Sequence, residues 1–185
     1  MENNIVVKLE SEKQLEDVLF DLLTKNFGEN RGLRLPIDIQ EKGKYAMFRQ
    51  FEIDGYGIAD IVLFYLNTAG FPCAHIIELK NVNVSSEDIN QVMRYVKGLS
   101  ACETFFHIDC SLIGLAPKSG HFIINELNHV LDFYSFSIDP RKGIVFHLAN
   151  EFVKKVSNTE KIKQKVIDVL SSLRNNETHE LNSIL

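Results

Sequence analysis

Ile76-Ile77-Glu78-Leu79-Lys80 is the stretch that decides the fold, because an apolar, β-branched run ends there in two opposite charges. This composition predicts a strand, in which side chains two positions apart share a face. Glu78 and Lys80 should therefore project side by side with Ile76, while Ile77 and Leu79 enter the layer on the other face. A carboxylate and an ammonium so placed can hold a divalent cation and, beside it, position a water or stabilise a developing negative charge.

A three-stranded meander is predicted around this stretch. Its strands cover residues 45–53, 57–66 and 73–80. Asp54-Gly55 is a pair typical of tight hairpins and joins the first two strands. Asn67-Thr68-Ala69-Gly70 turns the chain again before the third strand.

Asp60 is the only charged residue in the apolar run from Ile58 to Phe64. It falls early in the second strand, and Glu78 falls late in the third, so an antiparallel pair makes them neighbours. A buried carboxylate without a partner is costly, and Asp60 therefore needs a cation or a basic side chain beside it. The alternative to a metal site is a structural salt bridge between Asp60 and Lys80.

A first helix is predicted over residues 12–26, since a capping box begins at Ser11 and leucines and valine then recur at helical spacing. Glu16 lies beside that apolar stripe. Its carboxylate points either along the edge of the core or into solvent.

A second helix begins after Ser85, with acidic residues in its first turn, and runs to about Gly98. Gln91 and Tyr95 are four residues apart and share one face of it. By itself this pair is typical of an ordinary half-buried polar face. Arg94 points elsewhere on the helix.

The remaining elements are predicted with less regular patterns. Residues 29–44 indicate an irregular, basic connection. The later elements are a strand over 111–117 parallel to the third strand, a short helix over 120–130, a hairpin of 132–138 and 144–148, and a last amphipathic helix from the capping box Ser157-Asn158-Thr159-Glu160.

The composition is that of one soluble domain over residues 1–185, with 45% hydrophobic residues to form a core. No apolar run reaches membrane-spanning length and the first residues lack a secretion signal, so we expect a cytoplasmic protein.

Three cysteines and six histidines show no metal-ligand spacing, and we expect reduced thiols and structural histidines. A net charge of −5 excludes a generic basic DNA-coating protein, but not a metal-loaded site, because a bound cation adds positive charge.

The segments Gly57–Val62, Ile76–Lys80 and Gln91–Tyr95 together resemble the PD-(D/E)xK nuclease superfamily. The resemblance covers about residues 11–117, and Ala59 stands where the name-giving motif has Pro. It implies an α/β (α+β), restriction-endonuclease-like core of order αβββαβ, in which helices flank a mixed central sheet. Residues 118–185 would add a C-terminal hairpin and helix.

The resemblance also implies a function, namely metal-dependent hydrolysis of phosphodiester bonds in nucleic acid, with DNA as the expected substrate and Mg²⁺ or Mn²⁺ as cofactor. The implied catalytic residues are Asp60, Glu78, Lys80 and Gln91. The implied metal ligands are Asp60, Glu78, the Leu79 carbonyl and Glu16, with Glu12 in reserve. Tyr95 and Arg94 would contact the substrate, and a homodimer is plausible because many relatives cut both strands as pairs.

Two alternatives remain from other classes of protein. One is a nuclease-like fold that binds nucleic acid or a protein partner without cutting. The other is an interaction domain in which the charged residues form a structural ion-pair cluster. Fold analogy does not choose between them.

Overall fold

The computed structural model describes residues 9–26, 45–117, 122–126, 131–139 and 143–157. Its elements in chain order are helix α1 (Glu12–Asn26), strands β1 (Tyr45–Ile53), β2 (Gly57–Leu66) and β3 (Pro72–Asn83), helix α2 (Ser86–Ser100), strands β4 (His107–Leu115), β5 (Phe122–Glu126), β6 (Leu131–Asp139) and β7 (Gly143–Leu148), a 3-10 turn (Asn150–Phe152) and strand β8 (Val153–Ser157).

Six strands form one mixed sheet in the order β1-β2-β3-β4-β6-β7. β1, β2 and β3 pair antiparallel as a meander, and β4 then pairs parallel to β3. β6 lies parallel to β4, and β7 returns antiparallel to β6 as the predicted hairpin. The predicted α+β architecture, the αβββαβ order and the parallel fourth strand are therefore confirmed.

The two helices contact separate apolar clusters built on the sheet. Leu15, Leu19 and Leu23 of α1 belong to the cluster that contains Ile77 and Leu79, which we call the α1 cluster. Ile76 belongs instead to the cluster that contains the apolar residues of α2, which we call the α2 cluster. The predicted alternation along β3 is confirmed. Each fully buried leucine contributes about 2 kcal/mol to the hydrophobic stabilisation of the fold.

Local chemistry explains where the elements begin and turn. The Ser85 hydroxyl and the Asp88 carboxylate form a capping box at the start of α2. Gly55 has a φ of 75° at the β1–β2 turn, a left-handed conformation that glycine adopts without steric cost. The Asn67 carboxamide accepts hydrogen bonds from the backbone N–H of Ala69 and of Phe71 and fixes the next turn.

One predicted element is wrong. Residues 122–126 form strand β5, not part of a helix over 120–130, and β5 pairs parallel to β8 in a second, two-stranded sheet. Phe122-Ile123-Ile124 is an apolar, β-branched run too short for its periodicity to separate a strand from a helix. The strand partner lies far along the sequence, where local patterns carry no information about it.

Some predicted elements end at other residues than expected, and other predictions fall outside the described residues. β3 extends to Asn83 and α2 to Ser100, each slightly beyond the predicted end. The basic connection predicted over 29–44 and the helix predicted beyond Ser157 lie outside the described residues, and Ser157 itself ends β8. Cys73 and Cys110 are buried, Cys102 is exposed, and none of the three forms a disulfide. Within the described part of the chain, every helix is too short or too polar to cross a bilayer.

Candidate active site

Asp60 and Glu78 come together across the antiparallel β2–β3 ladder. Ile61 pairs with Ile77, and the next step along the ladder brings Asp60 beside Glu78. The backbone N–H of Leu79 donates to Asp60 Oδ2 at 2.8 Å, which fixes one oxygen of that carboxylate against β3. The two carboxylates are thus neighbours, as the meander predicts.

Glu78 is a buried carboxylate with one satisfied and one unsatisfied oxygen. The residue is only 2% exposed. Its Oε1 accepts a hydrogen bond from Lys80 Nζ at 2.7 Å, whereas the buried Oε2 has no hydrogen-bond partner among the described residues. Burial, and next the negative charge of Asp60, raise the pKa of Glu78 to about 7 despite the contact with Lys80. Glu78 therefore carries its negative charge at a cost that a proton or a bound cation would relieve.

Lys80 is held among carboxylates. Besides Glu78, its Nζ lies 3.8 Å from Glu12 Oε1. Burial lowers the pKa of Lys80, but the contact with Glu78 and the charges of Glu12 and Asp60 outweigh burial, and the net shift is upward. Lys80 therefore stays an ammonium at neutral pH. Among the described residues its ion pairs are with Glu78 and Glu12, so the predicted alternative of an Asp60–Lys80 salt bridge is not what forms.

Asp60 is also pushed toward its neutral form. Burial raises its pKa, and the N–H of Leu79, the charge of Lys80 and the Gln50 amide act in the opposite direction. The negative charge of Glu16 adds to the upward shift. Several carboxylates therefore share one region with too few cations to neutralise them.

Glu16 of α1 is buried and joins the site through Gln50. Of the two predicted orientations, the one along the core edge is therefore correct, since the residue is 3% exposed. Its Oε2 accepts from Gln50 Nε2 at 3.0 Å, and the same amide donates to Asp60 Oδ1 at 3.1 Å. Arg49 Nε donates to the other oxygen, Oε1, at 2.5 Å.

The two candidate acids of α1 take different positions. Glu16 is linked to Asp60, and Glu12 faces Lys80. Arg49 and Lys13 both pair with Glu16 Oε1, so much of the charge on Glu16 is already neutralised. Glu12 is more exposed, and burial followed by the charge of Asp60 raises its pKa against the opposing effect of Lys80. Metal ligation by Glu16, or by Glu12 in reserve, stays a prediction.

Gln91 and Tyr95 form a hydrogen-bonded pair between α2 and β2. Gln91 Nε2 donates to Tyr95 Oη at 2.6 Å, and Tyr95 Oη donates to the Ile58 carbonyl at 2.7 Å. Tyr95 is 2% exposed, so it packs in the core beside the site instead of lying open to a substrate. Arg94 is exposed on the same helix. The roles predicted for these three residues stay predictions.

The donor set fits Mg²⁺ or Mn²⁺ in part. Asp60 and Glu78 supply hard carboxylate oxygens, and the unpartnered Glu78 Oε2 is where a cation would lower the free energy most. Over the described ranges, no three His, Cys, Asp or Glu side chains are already arranged around one metal position. Mg²⁺ commonly uses one or two carboxylates and fills its other positions with water and substrate phosphate, and two carboxylates meet that need. Leu79 enters the site through its N–H, and ligation by its carbonyl stays a prediction.

Gln50 and Arg49 are the residues of this region that sequence reasoning missed. Gln50 bridges Glu16 and Asp60, and Arg49 is the ion-pair partner of Glu16. Both stand at ordinary strand positions in the sequence. Register across the predicted β1–β2 hairpin places Gln50 opposite Asp60, and this was the one available indication.

Comparison with known proteins adds little. No family model and no curated protein matches the chain. Among solved structures the chain is similar to a repair endonuclease from Pyrococcus abyssi, with 19% identity and a TM-score of 0.39 over 61% of this chain and 41% of that one. The chain thus spans less than half the length of that endonuclease. A likeness at this level establishes neither family nor function, and the resemblance to the PD-(D/E)xK superfamily stays a prediction.

Proposed function

We propose that the protein is a metal-dependent nuclease that hydrolyses phosphodiester bonds in nucleic acid, with DNA as the expected substrate and Mg²⁺ or Mn²⁺ as cofactor. The observation that carries this proposal is Glu78, a buried carboxylate beside Asp60 whose Oε2 lacks a partner within the described residues. A buried carboxylate oxygen without a partner is costly, so a fold that keeps one there gains from a cation.

The chain's own residues supply the remaining functions. A bound divalent cation would act as a Lewis acid on the phosphate and lower the pKa of the attacking water. Asp60 is held in place by the Leu79 N–H and by Gln50, so its orientation is fixed before any ligand arrives. The Lys80 ammonium, now paired with Glu78, can turn to a substrate phosphate and stabilise the charge that develops there.

One observation favours the alternative of a silent module or structural ion-pair cluster. Lys80 Nζ contacts Glu78 Oε1 at 2.7 Å, which is the distance of a strong, charge-assisted hydrogen bond. In that case the set would contribute to fold specificity or partner binding and perform no chemistry.

The test combines cleavage with metal binding. Labelled single- and double-stranded DNA and RNA are incubated with wild type, Lys80→Ala and Asp60→Ala in Mg²⁺, Mn²⁺ or EDTA. Lys80→Ala should lower cleavage by about 100-fold or more, since it removes one charge-stabilising donor, while Mn²⁺ binding by calorimetry persists. Asp60→Ala should lose both. Lys97→Ala, an exposed lysine on α2, is the matched control.

Two results would refute the proposal. One is cleavage that Lys80→Ala leaves unchanged, and the other is cleavage of equal rate in EDTA. Retention of nucleic acid on filters without any cleavage would favour the silent module, and the absence of a metal-dependent shift of the melting temperature would favour the structural ion-pair cluster.

A further inference from the structure

Strand β1 changes face at Gln50. Met47 packs against the α1 cluster, and Arg49 contacts the side chains of α1. Phe51 and Ile53 belong instead to the α2 cluster. Regular alternation would keep these four residues on one face of the sheet. The change falls at Gln50, whose φ of 47° is left-handed, a conformation that residues with a side chain rarely adopt.

Strand β2 changes face at the same rung of the ladder. Ile61 and Leu63 lie in the α1 cluster, whereas Ala59 lies in the α2 cluster. The residue between these two groups is Asp60. Because Arg49 pairs with Ile61 and Phe51 with Ala59, Gln50 stands directly opposite Asp60.

The side chain of Gln50 bridges two carboxylates at the point where its backbone is left-handed. The amide nitrogen Nε2 donates to Glu16 Oε2 at 3.0 Å and to Asp60 Oδ1 at 3.1 Å. A glycine would adopt the left-handed backbone without steric cost, but it would leave both carboxylates without this donor. Non-glycine residues held at positive φ cluster at functional sites, where the surrounding structure determines them.

We propose that Gln50 is a positioning residue for the metal site, which holds the carboxylates of Asp60 and Glu16 in one arrangement through its amide. It acts through those two side chains and is not itself a catalytic residue. The proposal rests on the metal site of the proposed function.

The test uses two substitutions that keep the backbone and remove the bridge. Gly and Asn both tolerate a positive φ, and the Asn side chain is one methylene too short to span the two carboxylates. In Mn²⁺ titrations by calorimetry, Gln50→Gly and Gln50→Asn should each raise the dissociation constant about tenfold or more, as loss of an outer-shell hydrogen bond does in other metal sites. The melting temperature of Gln50→Gly in EDTA should change little, because relief of the backbone strain offsets the loss of the two hydrogen bonds that the amide donates.

Glu103 provides the matched control. It has a φ of 52°, the other positive value among the non-glycine residues that the structure describes, and lies in the turn after α2. Glu103→Gly relieves comparable strain away from the site and should leave the affinity for Mn²⁺ unchanged. In a Glu16→Gln background, Gln50→Gly should cost less affinity than in wild type, because the two residues act together.

Failure of this proposal and failure of the proposed function give different results. If wild type binds Mn²⁺ and Gln50→Gly binds it equally well, the role of Gln50 is refuted and the metal site stands. Fully additive losses with Glu16→Gln would equally refute the bridge. If wild type and Gln50→Gly both fail to bind Mn²⁺ and cleave nothing, the metal site itself is refuted, and Gln50 with it.

Discussion

Replacement of Glu78 by Gln should stabilise the metal-free protein at alkaline pH. The amide of Gln has the size of the carboxyl group and, like its protonated form, carries no charge. Its oxygen can still accept a hydrogen bond from Lys80. Burial raises the pKa of Glu78 from 4.5 to about 7. An acid with a higher pKa in the folded state binds its proton more tightly there, so stability falls as the pH rises from about 4.5 through 7.

The size of the effect follows from that shift. A change in pKa from 4.5 to about 7, at about 1.36 kcal/mol per pH unit, corresponds to about 3 kcal/mol. Wild type and Glu78→Gln should therefore have similar free energies of unfolding at pH 4.5. At pH 8 the variant should be more stable by about 3 kcal/mol.

Urea denaturation in EDTA, followed by circular dichroism at several pH values, measures this difference. Glu52→Gln, an exposed carboxylate on β1, is the control for the loss of one negative charge. Addition of Mn²⁺ at about 100 times its dissociation constant should stabilise wild type by about 3 kcal/mol and the variant by much less. A variant less stable than wild type at pH 8 would refute the reasoning, because the ionised Glu78–Lys80 pair would then be a net stabilising interaction.

Two further predictions concern the core around the site. Burial lowers the pKa of His75 to about 4, so the folded state resists its protonation and loses about 3 kcal/mol of stability as the pH falls from 6.5 to 4. In urea titrations, His75→Gln should reduce the fall in the free energy of unfolding between pH 6.5 and 4. The effect should be clearest in a Glu78→Gln background, where the opposite pH dependence of Glu78 is absent. An unchanged fall would contradict this prediction. A Cβ on Gly57, where φ is 122°, would lie 2.9 Å from Tyr95 Cε1, whereas one on Gly55 would meet nothing within 4 Å. Gly57→Ala should therefore lower the free energy of unfolding by at least about 1 kcal/mol more than Gly55→Ala, and equal melting temperatures would count against the packing role of Tyr95.

Local patterns were sufficient for the part of the fold that carries the site. The hairpin pair Asp54-Gly55 and the alternation along β3 depend on neighbouring residues alone, and the bounds of β1 and β2 follow from them. Since register in a hairpin is set by its turn, the proximity of Asp60 and Glu78 could also be predicted. Local patterns did not predict β5, because its partner β8 is distant in sequence and its apolar run is short.

The details of the site could not be predicted, for physical reasons. The left-handed backbone of Gln50 is imposed by the strands and by two carboxylates from elsewhere in the chain. Lys80 has a long, flexible side chain, and its choice of Glu78 and Glu12 over Asp60 depends on where α1 packs. Sequence spacing places such residues on a face, whereas tertiary structure selects their contacts.

The unequal charges around Glu78 support the proposed metal site over a structural ion-pair cluster. A buried cluster that serves stability should balance its charges and satisfy every oxygen, because desolvation of an unpaired group costs several kcal/mol. Here Lys80 pairs with Glu78 and Glu12 and, among the described residues, not with Asp60, while Glu78 Oε2 has no hydrogen-bond partner there. Burial is the main cause of the raised pKa values of both carboxyls, and the charge of a neighbouring carboxylate adds to it. Apolar residues would fill the same space at a lower cost in free energy. A divalent cation would neutralise the excess negative charge around Glu78.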